Sequence, residues 1–224
     1  MNELTPIPKL PFPEGRPTFH IQNDPLVSVE QILFEPRYAK AGFAGAIDKC
    51  YLRKEAYERL LRAQETLPEG CRFKIYDAWR PFSVQQALYA QYRAQVERAH
   101  PDADPERIEQ LTQRFVSKPI KTPLEAPVHT TGGAVDLTIV DKNGQELDMG
   151  TEFDSFCDAA HTAYFEEAGR NAHVRENRRL LYHAMIAAGF TNLSAEWWHY
   201  DFGTRFWAYY TGKDALYTGI FEED

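Results

Sequence analysis

Cysteine is scarce in this 224-residue chain: there are three, Cys50, Cys71 and Cys157, an odd number and widely spaced. That argues against a disulfide framework and against a Cys-x-x-Cys metal site, and it leads us to expect reduced thiols in a cytoplasm. Basic residues are also in deficit, 25 Lys and Arg against 33 Asp and Glu, for a formal net charge of −8. With no basic stripe to offset it, a nucleic-acid surface is not expected, and a small molecule is the expected partner. Long apolar runs are missing as well. The opening Met1-Asn-Glu-Leu-Thr-Pro-Ile-Pro has neither a basic start nor a signal-length apolar segment, so neither secretion nor a membrane span is expected. A Ser/Gly-rich linker is absent too, and 43% hydrophobic residues can bury one substantial core. One domain over residues 1–224 is therefore the economical reading, with residues 1–17 as a Pro-rich extended arm that wraps the surface.

What is present reads as helices and strands without a repeated βαβ rhythm. Ala56, Leu60, Leu61 and Ala63 have helical spacing between Arg53 and Thr66, and Pro68-Glu-Gly70 ends that segment. The apolar run Phe73-Lys-Ile-Tyr-Asp-Ala-Trp79 predicts a strand ending at Arg80. Ser83 is the expected N-cap of a helix to about Ala99, with Val84, Ala87, Leu88 and Tyr92 on its buried face. Asp104-Pro105 should open a helix to about Val116. Ala134-Val-Asp-Leu-Thr-Ile-Val140 predicts a buried strand, and two further helices are expected over 153–168 and 174–188, the second closed by Gly189. The fold class implied is α+β, a small, mainly antiparallel sheet flanked by helices. Arg175, Arg178 and Arg179 read as an exposed helix face, and Glu222-Glu-Asp224 as a solvated end.

Two short segments carry the chemistry, His129-Thr-Thr-Gly-Gly-Ala-Val-Asp136 and Glu196-Trp-Trp-His199. They offer two imidazoles, one carboxylate able to bind a metal, and a second carboxylate three residues before the second imidazole. A catalytic zinc ion needs such a set: three protein ligands, an open position for water, and a base for the water's proton. The paired glycines after His129 favour a loop entering the strand over a helix. Asp136 is the one charge in an apolar strand and needs a cation or a donor; the alternative is a satisfied core carboxylate. The aromatic run Trp197, Trp198, Tyr200 and Phe202 reads as core. Glu196 and His199, three apart, would face opposite sides of a straight strand, so the chain should bend at Glu196 to bring both into one cavity. Arg80, at the end of its strand, is the best candidate to face an oxygen that gains charge, its alternative being an ion pair with Asp77. His20, His100, His161, His173 and His183 have no metal-ligand spacing and read as solvated or hydrogen-bonded.

Both segments resemble those of the D-alanyl-D-alanine dipeptidases, zinc enzymes best known from vancomycin resistance, within the D,D-peptidase and hedgehog-like group. Arg37-Tyr38-Ala39, Asp77-Ala-Trp-Arg-Pro81 and Met149-Gly-Thr-Glu-Phe-Asp154 match in order, so the resemblance covers roughly residues 30–202. It implies that His129, Asp136 and His199 bind one Zn2+ per chain and that Glu196 is the general base. It further implies that Arg80 faces the scissile carbonyl and that Tyr38 and Asp154 hold the substrate's ammonium group. At position 127 the chain departs from the pattern. Pro127 stands where the vancomycin-resistance enzymes have a Ser linked to the substrate's carboxylate, and proline has neither hydroxyl nor N–H.

Three functions are thus left open: a dipeptidase cleaving D-Ala-D-Ala or a close relative, a carboxypeptidase trimming longer cell-wall peptides, and a non-catalytic zinc-containing binding protein. Glu196 and Arg80 favour an enzyme, because a structural zinc site needs neither. Tyr38 and Asp154 favour the dipeptidase, because an ammonium clamp leaves no room for a longer amino end.

Overall fold

The computed structural model describes residues 4–221. Its sheet has five strands: β2 (Leu33–Phe34), β4 (Arg72–Asp77), β5 (Ala134–Val140), β7 (His199–Asp201) and β6 (Thr191–Asn192), in that spatial order. Only the β2–β4 pair is parallel. A separate antiparallel pair joins β1 (Leu26–Ser28) to β3 (Tyr51–Arg53). The six helices are α1 (Arg37–Lys40), α2 (Lys54–Glu65), α3 (Phe82–Ala99), α4 (Pro105–Gln113), α5 (Ala172–Ala187) and α6 (Arg205–Thr211). The fold is α+β, as the pattern predicted.

Every residue of β5 is buried, and the period-2 pleat divides them between two environments. Val135, Leu137 and Ile139 join Phe73, Ile75, Trp198 and Tyr200 in the main core. This core is completed by Ala56, Leu60 and Ala63 of α2 and by Leu181 and Met185 of α5. Asp136 points the other way. Across the sheet it lies opposite His199 of β7 and Asp77 of β4. The Asp77 pairing depends on a bulge, for the register shifts between Ile75 and Asp77, so one extra residue moves Asp77 to the face opposite that of Ile75. Alternation along β7 gives His199 and Asp201 to the cleft face and Tyr200 to the core.

Several boundaries differ from expectation, each for a physical reason. The strand β4 ends at Asp77 rather than Arg80 because the bulge turns the chain out of the ladder. Helix α3 starts at Phe82 with Pro81 as its cap residue, so Ser83 lies within the first turn instead of capping it. Helix α4 stops at Gln113. Residues 153–168 form no α-helix, only two short 3-10 turns, Asp158–Ala160 and Tyr164–Glu166. The cause is Arg178, which is not on an exposed face but is 1% exposed. Its guanidinium donates to the carbonyls of His161 (2.7 Å) and Ala159 (2.7 Å), groups that a continuous helix would have used internally, and also to that of Met149 (2.8 Å). Arg179 is likewise engaged, donating to Glu166 at 2.8 Å, and Arg175 is half-buried. The acidic tail Glu222–Asp224 lies outside the described residues.

Candidate active site

The site forms where β4, β5 and β7 present their polar face to a cleft that Tyr38, Arg80, His129, Asp136, Asp154, Glu196 and His199 all line. The seven residues singled out in the sequence therefore come together, from five separate stretches of chain. Asp136 and His199 are neighbours by strand register. His129 arrives on a 3-10 turn, Val128–Thr131, that begins after Pro127 and ends at Gly132, φ +76°. The next residue, Gly133, must be glycine for a different reason: a Cβ there would lie 2.4 Å from the Phe202 carbonyl oxygen. That close backbone approach, with Phe202 N–H donating to Gly133 O at 2.8 Å, locks the turn onto the end of β7. Glu196 precedes β7 in a turn, its N–H bonded to Leu193 O at 3.0 Å, and its carboxylate reaches to 3.9 Å from His199 Nδ1.

The donor geometry fits a metal ion. One ligand atom each of His129, Asp136 and His199 lies within 4.8 Å of the others, and all three residues are buried. The tautomers are set by what each ring touches on its far side. His129 Nδ1 is 2.8 Å from Ala78 O, and a carbonyl can only accept, so Nδ1 carries the proton and Nε2 the lone pair. His199 Nε2 is 2.9 Å from the Asp201 carboxylate, which likewise fixes its proton away from Nδ1. Two lone-pair nitrogens thus face each other at 3.1 Å, beside Asp136 at 3.0 and 3.3 Å. That arrangement is repulsive unless a cation or an added proton sits between them, and two imidazoles with a carboxylate are a zinc-type donor set.

Electrostatics follow from burial and neighbours. Burial opposes ionisation of Asp136, but the rings of His129 and His199 override it and hold its carboxyl below the usual range. Burial also opposes a charged His199, and Asp201 and Asp136 more than offset it, raising its basicity. Burial, aided by the charges of Asp136 and Asp154, pushes Glu196 up to about 8. Asp154 is raised to about 7, again by burial first and then by Asp136. Its backbone, at φ +59°, occupies a left-handed conformation that costs a non-glycine residue about 1–2 kcal/mol. That twist aims its carboxylate at Tyr38, whose hydroxyl donates to Oδ2 at 3.0 Å.

Arg80 is held on every side. Nε donates to Asp77 (2.9 Å), Nη1 to Gln85 (2.7 Å), and Nη2 lies 3.3 Å from the Tyr38 hydroxyl and 3.5 Å from Asp136. The two roles weighed for it coexist: the pair with Asp77 fixes the guanidinium, and its other edge faces the cleft. Gln85 is itself fixed through Ser117 O at 2.7 Å.

Sequence reasoning missed Asp201, Gln85 and the approach of Asp77 to His129 Nδ1 at 3.2 Å. His-x-Asp on a strand puts both side chains on one face, so period-2 alternation could have found Asp201. No spacing signals Gln85, which depends on where α3 docks. Pro127 is buried beside the cleft and sets the turn that carries His129.

The chain is similar to known proteins over most of its length. The family model described as D-ala-D-ala dipeptidase matches residues 30–212. The D-alanyl-D-alanine dipeptidase of Synechocystis sp. is 30% identical over 176 residues, 70% of this chain and 71% of its own length. That of Escherichia coli is 32% identical over 154 residues, 68% of this chain and 67% of its own. A solved structure of the vancomycin-resistance D,D-pentapeptidase VanY with zinc overlaps at a TM-score of 0.44 and 15% identity, over 75% of this chain and 83% of that one. At that level the overlap bears on neither fold nor function.

Proposed function

The chain belongs to the D-alanyl-D-alanine dipeptidase family, and on that premise we propose that it hydrolyses D-alanyl-D-alanine, or a closely related dipeptide, to free amino acids with one zinc ion held by His129, Asp136 and His199. The observation that carries this reading is a single cleft in which a three-donor metal set, a free carboxylate, a fixed guanidinium and a Tyr–Asp pair all meet.

A zinc ion bound there supplies Lewis acidity, lowering the pKa of bound water towards 7 and polarising the scissile carbonyl. Glu196 is the base: its carboxylate takes the attacking water's proton and returns it to the leaving amine. Burial makes it a stronger base than a solvated glutamate. As the peptide carbon becomes tetrahedral, charge grows on its oxygen, and Arg80, already immobilised by Asp77 and Gln85, meets that charge without reorganising. Asp154 and the Tyr38 hydroxyl hold the substrate's ammonium group. Because partial burial and Asp136 oppose the charge on Asp154, the substrate's own positive charge favours its ionised form.

Among the described residues no helix is long and apolar enough to cross a membrane, and Cys50, Cys71 and Cys157 are all free. We assign the enzyme to the cytoplasm, acting on dipeptides of cell-wall metabolism. The test is to compare free and N-acetylated D-Ala-D-Ala with zinc-loaded protein. Cleavage of the free dipeptide alone is expected, and equal cleavage of both would replace the dipeptidase reading with a carboxypeptidase.

A further inference from the structure

Residues 4–17 precede the segment matched by the family model, yet they contribute to the catalytic cleft through Phe12. The arm is strapped down before this residue. Arg179 donates to Leu4 O at 2.9 Å, His183 to Thr5 O at 2.8 Å, and Ile7 is 4% exposed, its N–H on Glu166 at 3.1 Å. It is pinned again around it, with Tyr210 donating to Pro11 O at 2.9 Å and Pro13 buried. Phe12 itself is 40% exposed and is held edge-on by Phe206 of α6, ring centroids 6.0 Å apart. A ring exposed to this extent gains only part of what full burial would give it, and its place on the cleft wall is what sets it apart.

That position is a boundary. Phe12, Gln113 and Arg114 line the catalytic cleft and also a second, open groove that continues past Leu10, His161, Ser194 and Ala195. Tyr38 and Asp154 line the cleft but not this groove. The groove therefore leaves the site on the side away from the ammonium clamp, where the carboxyl end of a bound dipeptide would lie. We infer that Phe12 is a specificity-determining residue that walls the cleft off from this groove and so excludes peptides extended at their carboxyl end. The inference rests on the dipeptidase reading above. Removing the ring would join cleft and groove, and a third residue could then pass between Leu10 and Arg114.

The experiment compares D-Ala-D-Ala with D-Ala-D-Ala-D-Ala in zinc-loaded parent, Phe12→Ala and Phe12→Trp proteins. It is repeated as binding by calorimetry in a Glu196→Gln background, where turnover does not intervene. Phe12→Ala should raise the tripeptide-to-dipeptide ratio at least tenfold, in kcat/KM and in affinity, while Phe12→Trp keeps it at or below the parent's. A Phe12→Ala ratio within twofold of the parent's overturns the inference. Parent protein that neither binds nor cleaves the dipeptide overturns the dipeptidase reading and this inference with it; normal dipeptide cleavage with an unchanged ratio overturns this inference alone.

Discussion

Asp201→Ala should weaken zinc binding by about 10- to 100-fold although Asp201 touches no zinc. The Asp201 carboxylate is 0% exposed and accepts from His199 Nε2 at 2.9 Å and from Thr204 Oγ1 at 2.7 Å. Deleting it leaves the His199 N–H buried without an acceptor and frees the ring to carry its proton on Nδ1, the atom that must offer a lone pair. A hydrogen bond to a charged group contributes about 1.5–3 kcal/mol. At about 1.4 kcal/mol per decade that is roughly one to two decades of affinity, matching the effect typical of partners that orient metal-bound histidines. Zinc affinity would be measured by competition against a chelator, alongside a thermal melt. Thr204→Val separates the two bonds, for it removes the hydroxyl that accepts from Phe206 N and Trp207 N at the start of α6 but leaves Asp201 on His199. It should lower Tm, with about 1 kcal/mol of lost capping, more than it lowers zinc affinity. A folded Asp201→Ala protein that binds zinc within twofold of the parent would refute the reasoning.

Other substitutions test the remaining assignments. Alanine at His129, Asp136 or His199 should abolish stoichiometric zinc and activity together, whereas Glu196→Gln should retain zinc by elemental analysis and lose turnover; dipeptide cleavage by Glu196→Gln at the parental rate contradicts the assigned base. Asp154→Ala removes the charged partner of the substrate ammonium, a loss of about 2–5 kcal/mol, so KM for D-Ala-D-Ala should rise steeply, and an unchanged KM would rule out the clamp. Pro127→Ser should lower KM if position 127 grips the substrate carboxylate, or release zinc if its chief task is to hold the His129 turn; an unchanged KM with full zinc contradicts both. Glu166 tests the arm. Burial opposes its charge, and Arg179 overrides this to hold the carboxyl below the usual glutamate range. Its stabilisation is therefore full above the unfolded pKa of about 4.3 and is lost as pH falls through the lower folded value. Thermal melts should show Glu166→Gln less stable than the parent at pH 7 and the gap closing towards pH 3, and a gap independent of pH would count against the ion pair.

The sequence by itself determined the chemistry and the local shapes that local rules control. An aspartate alone in Ala134–Val140 had to be a buried charge in need of a partner, and the strand there has those very bounds. Gly132 and Gly133 marked the turn that delivers His129, and apolar spacing placed α2 and α5 to within two residues. Tertiary structure decided what depends on partners distant in the chain. In the segment 153–168, where a helix was expected, Arg178 takes the carbonyls of Ala159 and His161, and no local pattern shows that a guanidinium from another helix will compete for them. The bulge after Ile75 turned Asp77 towards Arg80 and His129, and strand register alone set Asp136 against His199. Hydrophobic period and turn chemistry act over a few residues and can be read from them; register, docking of α3 on Arg80 and the path of the arm past Phe206 are settled only when the whole core packs.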